Sequence, residues 1–69
     1  MANKDRDKLK ILLAHWVAHN NEHRDEFREW ADKAKVLGET AVSDLMRQAA
    51  QEMDRSSNSL AQALKKLEG

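Results

Sequence analysis

The sequence predicts an all-α fold, an antiparallel helical hairpin, and three observations support this prediction. Proline is absent, and the 69-residue chain has glycine at only two positions, Gly38 and Gly69. Alanine, leucine, lysine, arginine, glutamate and glutamine dominate, and these residues favour helices. Apolar residues recur at alternating steps of three and four, which is the spacing of one helix face. A chain of this length forms one domain at most, so residues 1–69 are interpreted as a single helical domain.

The first helix is predicted to span residues 4–37. Asn3 is a suitable N-cap, and Gly38 a suitable stop, because glycine readily adopts the left-handed conformation that ends many helices. The spacing of the apolar row continues through Asn20 and Asn21, which favours one long helix over two short ones. The row consists of Leu9, Leu13, Trp16, Asn20, His23, Phe27, Trp30, Ala34 and Leu37.

The second helix is predicted to span residues 41–67, with Thr40 as its N-cap. Its weakest part is the polar stretch at residues 55–59. Because Met53 and Leu60 keep the same phase on either side of this stretch, a continuous helix is favoured. A bend there, which would give a monomeric three-helix bundle, is the alternative. The row of this helix consists of Val42, Met46, Ala49, Met53, Ser56, Leu60, Ala63 and Leu67.

A short connecting turn requires the two helices to lie antiparallel. Closing this turn between Leu37 and Val42 sets large side chains opposite small ones, which is how interlocking layers fill space. The facing pairs predicted in this way are Trp30 with Ala49, Trp16 with Ala63, and His23 with Ser56.

Each predicted apolar face is wider than a contact between two helices requires, since Leu12, His19 and Leu45 flank the two rows. The chain has no cysteine, and one core of this size supplies only ~3–5 kcal/mol, so small domains of this kind usually need further support. We therefore predict that two hairpins associate as a homodimeric four-helix bundle. The residues expected in its core and interface are Leu9, Leu13, Trp16, Asn20, Phe27, Trp30, Leu37, Val42, Met46, Met53, Leu60 and Leu67.

Composition narrows the classes of function. Twelve basic residues balance twelve acidic ones, so no overall field attracts nucleic acid or an anionic membrane. The longest wholly apolar run, Ile11 to Ala14, is far shorter than the ~20 residues that span a bilayer. No serine lies in a pattern typical of an activated nucleophile. We expect a soluble, cytoplasmic protein that is not an enzyme and has neither a nucleic-acid nor a membrane partner.

The stretch "HWVAHNNEH", residues 15–23, places three histidines at steps of four. Two imidazoles at this spacing on one helix can bind the same ion. All three cannot, because rings eight residues apart are separated by ~12 Å along the helix axis. Carboxylates on the same flank can complete a site for zinc or nickel. The candidate ligands are His15, His19, His23, Glu22 and Glu26. The structural alternative is a hydrogen-bonded His23 with the other two rings solvated.

"HWVAHNNEH" followed by "EFREWADKA" resembles a stretch in a group of small bacterial helical proteins and domains of unassigned function. The resemblance covers residues 12–34; it implies a helical fold and no activity. The sequence thus leaves two hypotheses. The chain is a homo-oligomeric interaction or scaffold protein whose other partner is unidentified, or it binds or senses a transition metal through its histidine face.

Overall fold

The structure, a computed structural model, describes residues 3–68, without the side chain of Asn3, and consists of two helices. Helix α1 spans Asn3–Val36 and helix α2 spans Thr40–Glu68. They lie antiparallel in a rod of 56 × 14 × 12 Å. The predicted all-α hairpin is confirmed, with each helix boundary within one residue of its prediction. Neither helix, over the described residues, has the length of apolar sequence that crossing a membrane requires.

The turn between the helices is organised by Gly38, as predicted. Its φ of 85° is left-handed, a conformation that glycine adopts without steric cost. Its N–H donates to the Lys35 carbonyl at 3.0 Å, and the N–H of Glu39 donates to the Ala34 carbonyl at 2.9 Å. These two bonds form a Schellman motif, which satisfies the last carbonyls of α1. The predicted N-cap role of Asn3, at the other end of α1, concerns a side chain outside the described part.

Helix α2 begins one residue earlier than predicted. The carbonyl of Glu39 accepts the first helical bond, from the N–H of Ser43 at 2.9 Å. Glu39 therefore occupies the N-cap position, and Thr40 is the first helical residue rather than the cap. The helix then continues unbroken through residues 55–59. The prediction of a continuous second helix is thus confirmed, and the alternative of a bend that gives a third helix is wrong.

The two helices meet along a line of small side chains. The Ser43 hydroxyl donates to the backbone carbonyl of Ala31 at 2.7 Å, a contact that requires the helices to come close together. Alanine and serine permit this approach, because the distance between packed helices depends on the side chains at the contact. The buried residues are Leu13, Ala31 and Ala34 on α1 and Ser43, Ala50 and Ser57 on α2.

Part of this contact line is displaced by one residue from the prediction, while Leu13 and Ala34 are buried as predicted. Val17 and Ala31 face α2, while Trp16 and Trp30 lie beside the line with 40 % and 55 % of their surface exposed. An indole between the helices would hold them apart, so the smaller neighbours take the contact positions. On α2 the buried residues are likewise Ala50 and Ser57, one residue after the predicted Ala49 and Ser56.

The predicted pairing of His23 with Ser56 is also wrong for the single hairpin. The Ser56 hydroxyl instead accepts a hydrogen bond from the side-chain amide of Asn20 at 3.3 Å. Of the residues predicted for core and interface, Leu13 is buried, and Asn20, Phe27, Met46, Met53, Leu60 and Leu67 are half-buried. Leu9, Trp16, Trp30, Leu37 and Val42 are exposed, so their burial against a second copy stays a prediction.

The two buried serines allow a matched test of the contact line. Ser43→Ala removes the bond to Ala31 and should lower the free energy of unfolding by about 0.5–1.5 kcal/mol. Ser57 Oγ has no hydrogen-bond partner among the described residues, so Ser57→Ala should leave that free energy unchanged or raise it. Urea unfolding followed by circular dichroism at one protein concentration measures both. Equal losses in the two variants would contradict these roles.

Candidate functional site

The hairpin has two chemically different sides. Successive residues of a helix are rotated by about 100°, so residues that precede a contact position lie on one side and residues that follow it lie on the other. Because the helices are antiparallel, this rule selects the same side of the hairpin on both. The contact positions include Val17, Arg24 and Ala31 of α1 and Ser43, Ala50 and Ser57 of α2.

One side is tied by ion pairs between the helices. The Asp54 carboxylate of α2 accepts hydrogen bonds from Arg24 and Arg28 of α1, one on each oxygen and each at 2.8 Å. Further along, Arg47 of α2 pairs with Asp32 of α1. The hydrogen bond from Arg24 holds the pKa of Asp54 below its usual range, and the positive charges of Arg24 and Arg28 act in the same direction. Around Asp54 and Arg47 this ion-pair side is polar and suited to water.

The opposite side, which we call the apolar side, exposes large apolar side chains to water. Eight large apolar side chains are exposed among the described residues, and only Ile11 and Val36 lie elsewhere. Exposed fractions on the apolar side run from 40 % for Trp16 to 78 % for Leu37. A fully exposed large side chain has ~150–250 Å² of surface, so the six large residues of this side together expose on the order of 600 Å² of apolar surface. This area is at the upper end of what monomers expose. The six residues are Leu9, Trp16, Trp30, Leu37, Val42 and Leu45.

Helix α1 contributes one row of large residues to the apolar side, each seven positions from the next. This aromatic row consists of Leu9, Trp16, His23, Trp30 and Leu37, and it reads the same in both directions about His23. The matching row of α2 contains small residues, namely Val42, Ala49, Ser56 and Ala63. The apolar side therefore has a ridge along α1 and a shallow strip along α2.

Two of the three histidines, His19 and His23, meet at the middle of the apolar side. The Nε2 atoms of His19 and His23 are 2.9 Å apart, so one ring donates a hydrogen bond and the other accepts it. The two rings meet edge to face, with centroids 4.4 Å apart. His15 stacks on the far side of His19 at 5.9 Å, and Phe27 lies 6.0 Å from His23. The polar pair is thus held within an aromatic array.

The predicted metal ligands are brought together only in part. Two imidazole nitrogens bound to one cation at ~2.1 Å and at right angles lie roughly 3 Å apart, which the spacing of His19 and His23 matches. Across residues 3–68, however, no group of three or more histidine or acidic side chains is placed to hold a metal ion. His15, Glu22 and Glu26 therefore do not complete a site within one chain. A single hairpin offers two donors.

Sequence analysis did not find the cluster of Arg24, Arg28 and Asp54. A signal was present, because Arg24 is a charged residue at the same phase as Val17 and Ala31, and a charge at a contact position needs a partner. The sequence alone does not identify the acidic residue of α2 that supplies this partner. Its identity depends on the rotation and register of the helices, which follow from packing.

The fold and its exposed apolar side define a class, the small two-helix module with an uncovered face. The chain belongs to the family described as "Domain of unknown function (DUF8180)", whose model matches residues 9–67. It is similar to an uncharacterized protein of Archaeoglobus fulgidus, with 39 % identity over 62 % of this chain and 90 % of that protein. No solved structure matches the chain.

These comparisons confirm the expected resemblance to small proteins of unassigned function. The relative is archaeal, so the bacterial origin of the resembling group stays an expectation, as does the specificity of its histidine motif. The family description carries no activity.

The ion-pair cluster predicts how stability depends on pH. The folded pKa of Asp54 lies below the unfolded value of ~3.9, so its stabilisation is complete above the unfolded pKa and is lost as pH falls through the folded pKa. Asp54→Asn should therefore lower the melting temperature at neutral pH and weaken the loss of stability in acid. Thermal melts at a series of pH values measure both effects.

The matched control is Asp25→Asn. Asp25 pairs with its neighbour Arg24 at 3.1 Å within α1 and does not connect the helices. Its removal should change the melting temperature less than Asp54→Asn does. Equal shifts in the two variants would show that the bridge between the helices contributes no more than a pair within one helix.

Proposed function

We propose that the protein is a homodimeric interaction module, in which the apolar sides of two hairpins pack together as a four-helix bundle. The observation that carries this proposal is the segregation of exposed apolar residues. Six of the eight large ones among the described residues share one side, and the other side carries the ion pairs between the helices. Such a distribution is typical of a surface that a partner covers.

The small core of the hairpin supports the same proposal. Its buried apolar residues are Leu13, Ala31, Ala34 and Ala50, and three of these four are alanines, which bury little surface. Covering roughly 600 Å² of apolar surface would contribute on the order of 15 kcal/mol per chain before the costs of association. This area approaches the ~800 Å² per partner of a standard interface. A second copy thus supplies what the core lacks.

The edges of the apolar side also suit an interface. By helical phase, Glu26 and Lys33 of α1 and Glu52 and Lys66 of α2 border the apolar residues, and stable interfaces have such a polar rim. The Lys33 ammonium lies 4.2 Å from the centroid of the Trp30 ring and 3.5 Å from a Glu29 carboxylate oxygen. Lys33 is therefore paired with a carboxylate at the edge of the apolar surface.

Metal binding or sensing is the second candidate function, and the 2.9 Å separation of the His19 and His23 nitrogens favours it. One chain offers only two donors, so this candidate also requires a second copy.

The balanced charge of the chain supports the expectation that it has no nucleic-acid or membrane partner. We assign no catalytic step to the protein, and we propose a cytoplasmic location for it.

Dimerisation is tested by sedimentation equilibrium on untagged protein at micromolar concentration. The wild type should have twice the chain mass of 7.9 kDa and a melting temperature that rises with concentration. Trp30→Glu places a charge in the interface and should weaken the dimer by about 30-fold or more, because buried tryptophans contribute ~2 kcal/mol or more to interfaces.

The control variant is Ile11→Glu. Ile11 is 71 % exposed but lies off the apolar side, so this variant should dimerise like the wild type. A wild-type monomer with a concentration-independent melt would overturn the proposal. Equal weakening by both variants would move the interface away from the apolar side.

A further inference from the structure

We propose that two hairpins dimerise about a twofold axis parallel to their helices, so that the aromatic row of each chain lies on α2 of the other and His23 pairs with the partner's Glu52. This arrangement rests on the dimer proposed above, because one hairpin provides only half of each contact. It specifies which residues of the two apolar sides face each other.

The shape of the apolar side favours this direction of the axis. The aromatic row forms a ridge along α1, and small residues form a shallow strip along α2. A twofold axis parallel to the helices sets α1 against the partner's α2, so each ridge lies on a strip. A perpendicular axis sets α1 against the partner's α1, so the two ridges meet and hold the strips apart. Large side chains fill space best against small ones, which the parallel axis provides.

The level of each residue along the rod determines which residues meet. Rotation about an axis parallel to the helices leaves this level unchanged, so a residue of α1 faces partner residues that are level with it in its own hairpin. The hydrogen bonds that Ser43 and Asn20 make to the other helix place His23 level with residues 51–53 of α2. Among these, Glu52 borders the apolar side by helical phase. His23 therefore faces the partner's Glu52.

The same levels place the tryptophans over gaps in the partner's strip. Trp30 is level with the partner's Leu45, and Trp16 is level with the partner's Ser59. Each of these positions lies midway between two small residues of the strip, so the indoles enter spaces as knobs enter holes. Leu45, which is 66 % exposed in one hairpin, would be covered by Trp30 of the other chain.

Charge favours the same arrangement. Nε2 of His23 pairs with His19 at 2.9 Å, and when it accepts that hydrogen bond Nδ1 carries the ring hydrogen and can donate it to a carboxylate. Glu52 is exposed, and none of the ion pairs among the described residues includes it. A perpendicular axis at His23, about which the aromatic row is symmetric, would set Glu52 against its own copy, and like charges facing each other are unfavourable. The parallel axis instead sets each carboxylate against an N–H donor.

Crosslinking between two cysteine variants tests the arrangement. The chain has no cysteine, so His23→Cys and Glu52→Cys each carry one thiol, and the two proteins are refolded together and mildly oxidised. We expect covalent heterodimers, because a disulfide requires Cβ atoms about 3.5–4.5 Å apart. Mass spectrometry distinguishes them from covalent homodimers. Each variant alone should stay uncrosslinked, because the parallel axis places its thiol diagonally opposite the copy.

The matched control is His23→Cys refolded with Ile11→Cys. Ile11 lies off the apolar side, so this mixture should give no covalent heterodimer. Positions 11 and 52 are exposed and position 23 is half-buried, so all three variants should fold, which circular dichroism checks.

Sedimentation equilibrium tests the pairing of Glu52. Glu52→Gln should raise the dissociation constant of the dimer by roughly 2–20-fold, because each dimer loses two charged pairings that are individually weak. The matched control is Glu26→Gln, which removes the same charge from the edge of the apolar side. Glu26 is level with residues 48–50 of the partner, which are uncharged, so this variant should dimerise like the wild type.

The outcomes separate this arrangement from the dimer itself. Covalent homodimers of His23→Cys alone, or a dimer without covalent heterodimers, overturn the parallel axis and leave the interaction module standing. Equal dissociation constants for Glu52→Gln and Glu26→Gln overturn the pairing of Glu52 with His23. A wild-type monomer overturns the interaction module and the arrangement together.

Discussion

The close approach of the two helices at Ser43 and Ala31 governs the rest of the structure. A serine hydroxyl reaches a backbone carbonyl of the other helix at 2.7 Å, and only small side chains fit beside such a contact. Alanines and serines therefore occupy the line next to this contact, and the tryptophans are displaced to one side. What looks in the sequence like a core of aromatic residues becomes a surface.

This displacement determines where the two kinds of chemistry lie. The residues that follow the contact positions include Arg28, Asp54 and Arg47, which link the helices by ion pairs. The residues that precede them include both tryptophans and two of the three histidines. These ion pairs form because packing sets the rotation of each helix about its axis, and the same rotation keeps the aromatic row pointing away from α2. One side thus carries the ion pairs between the helices, and the other exposes large apolar residues.

The sequence was sufficient to predict the hairpin but not to predict the rotation of its helices about their axes. Periodicity and the single interior glycine predict two helices and the turn at Gly38, because both depend on local chemistry. Trp16 lies in the more apolar of two adjacent rows, yet Val17 takes the contact position. The choice between the two rows depends on how closely two backbones approach. The sequence similarly suggested five metal ligands, but only coordinates show that the His19 and His23 rings converge. Asp54 was missed because its partners depend on that same rotation.

The turn at Gly38 also has a consequence for how the chain folds. Contacts between the helices join residues 12 positions apart at Ser43 and Ala31, 36 apart at Asn20 and Ser56, and 61 apart at Arg6 and Leu67. Each contact closes a loop that the preceding contact has already shortened. The loss of chain entropy is therefore smallest when the contacts form in order from the turn toward the open end. Most of the cost in chain entropy is thus met in small steps. The reverse order applies to opening, in which the contact between Arg6 and Leu67 breaks first and the turn last.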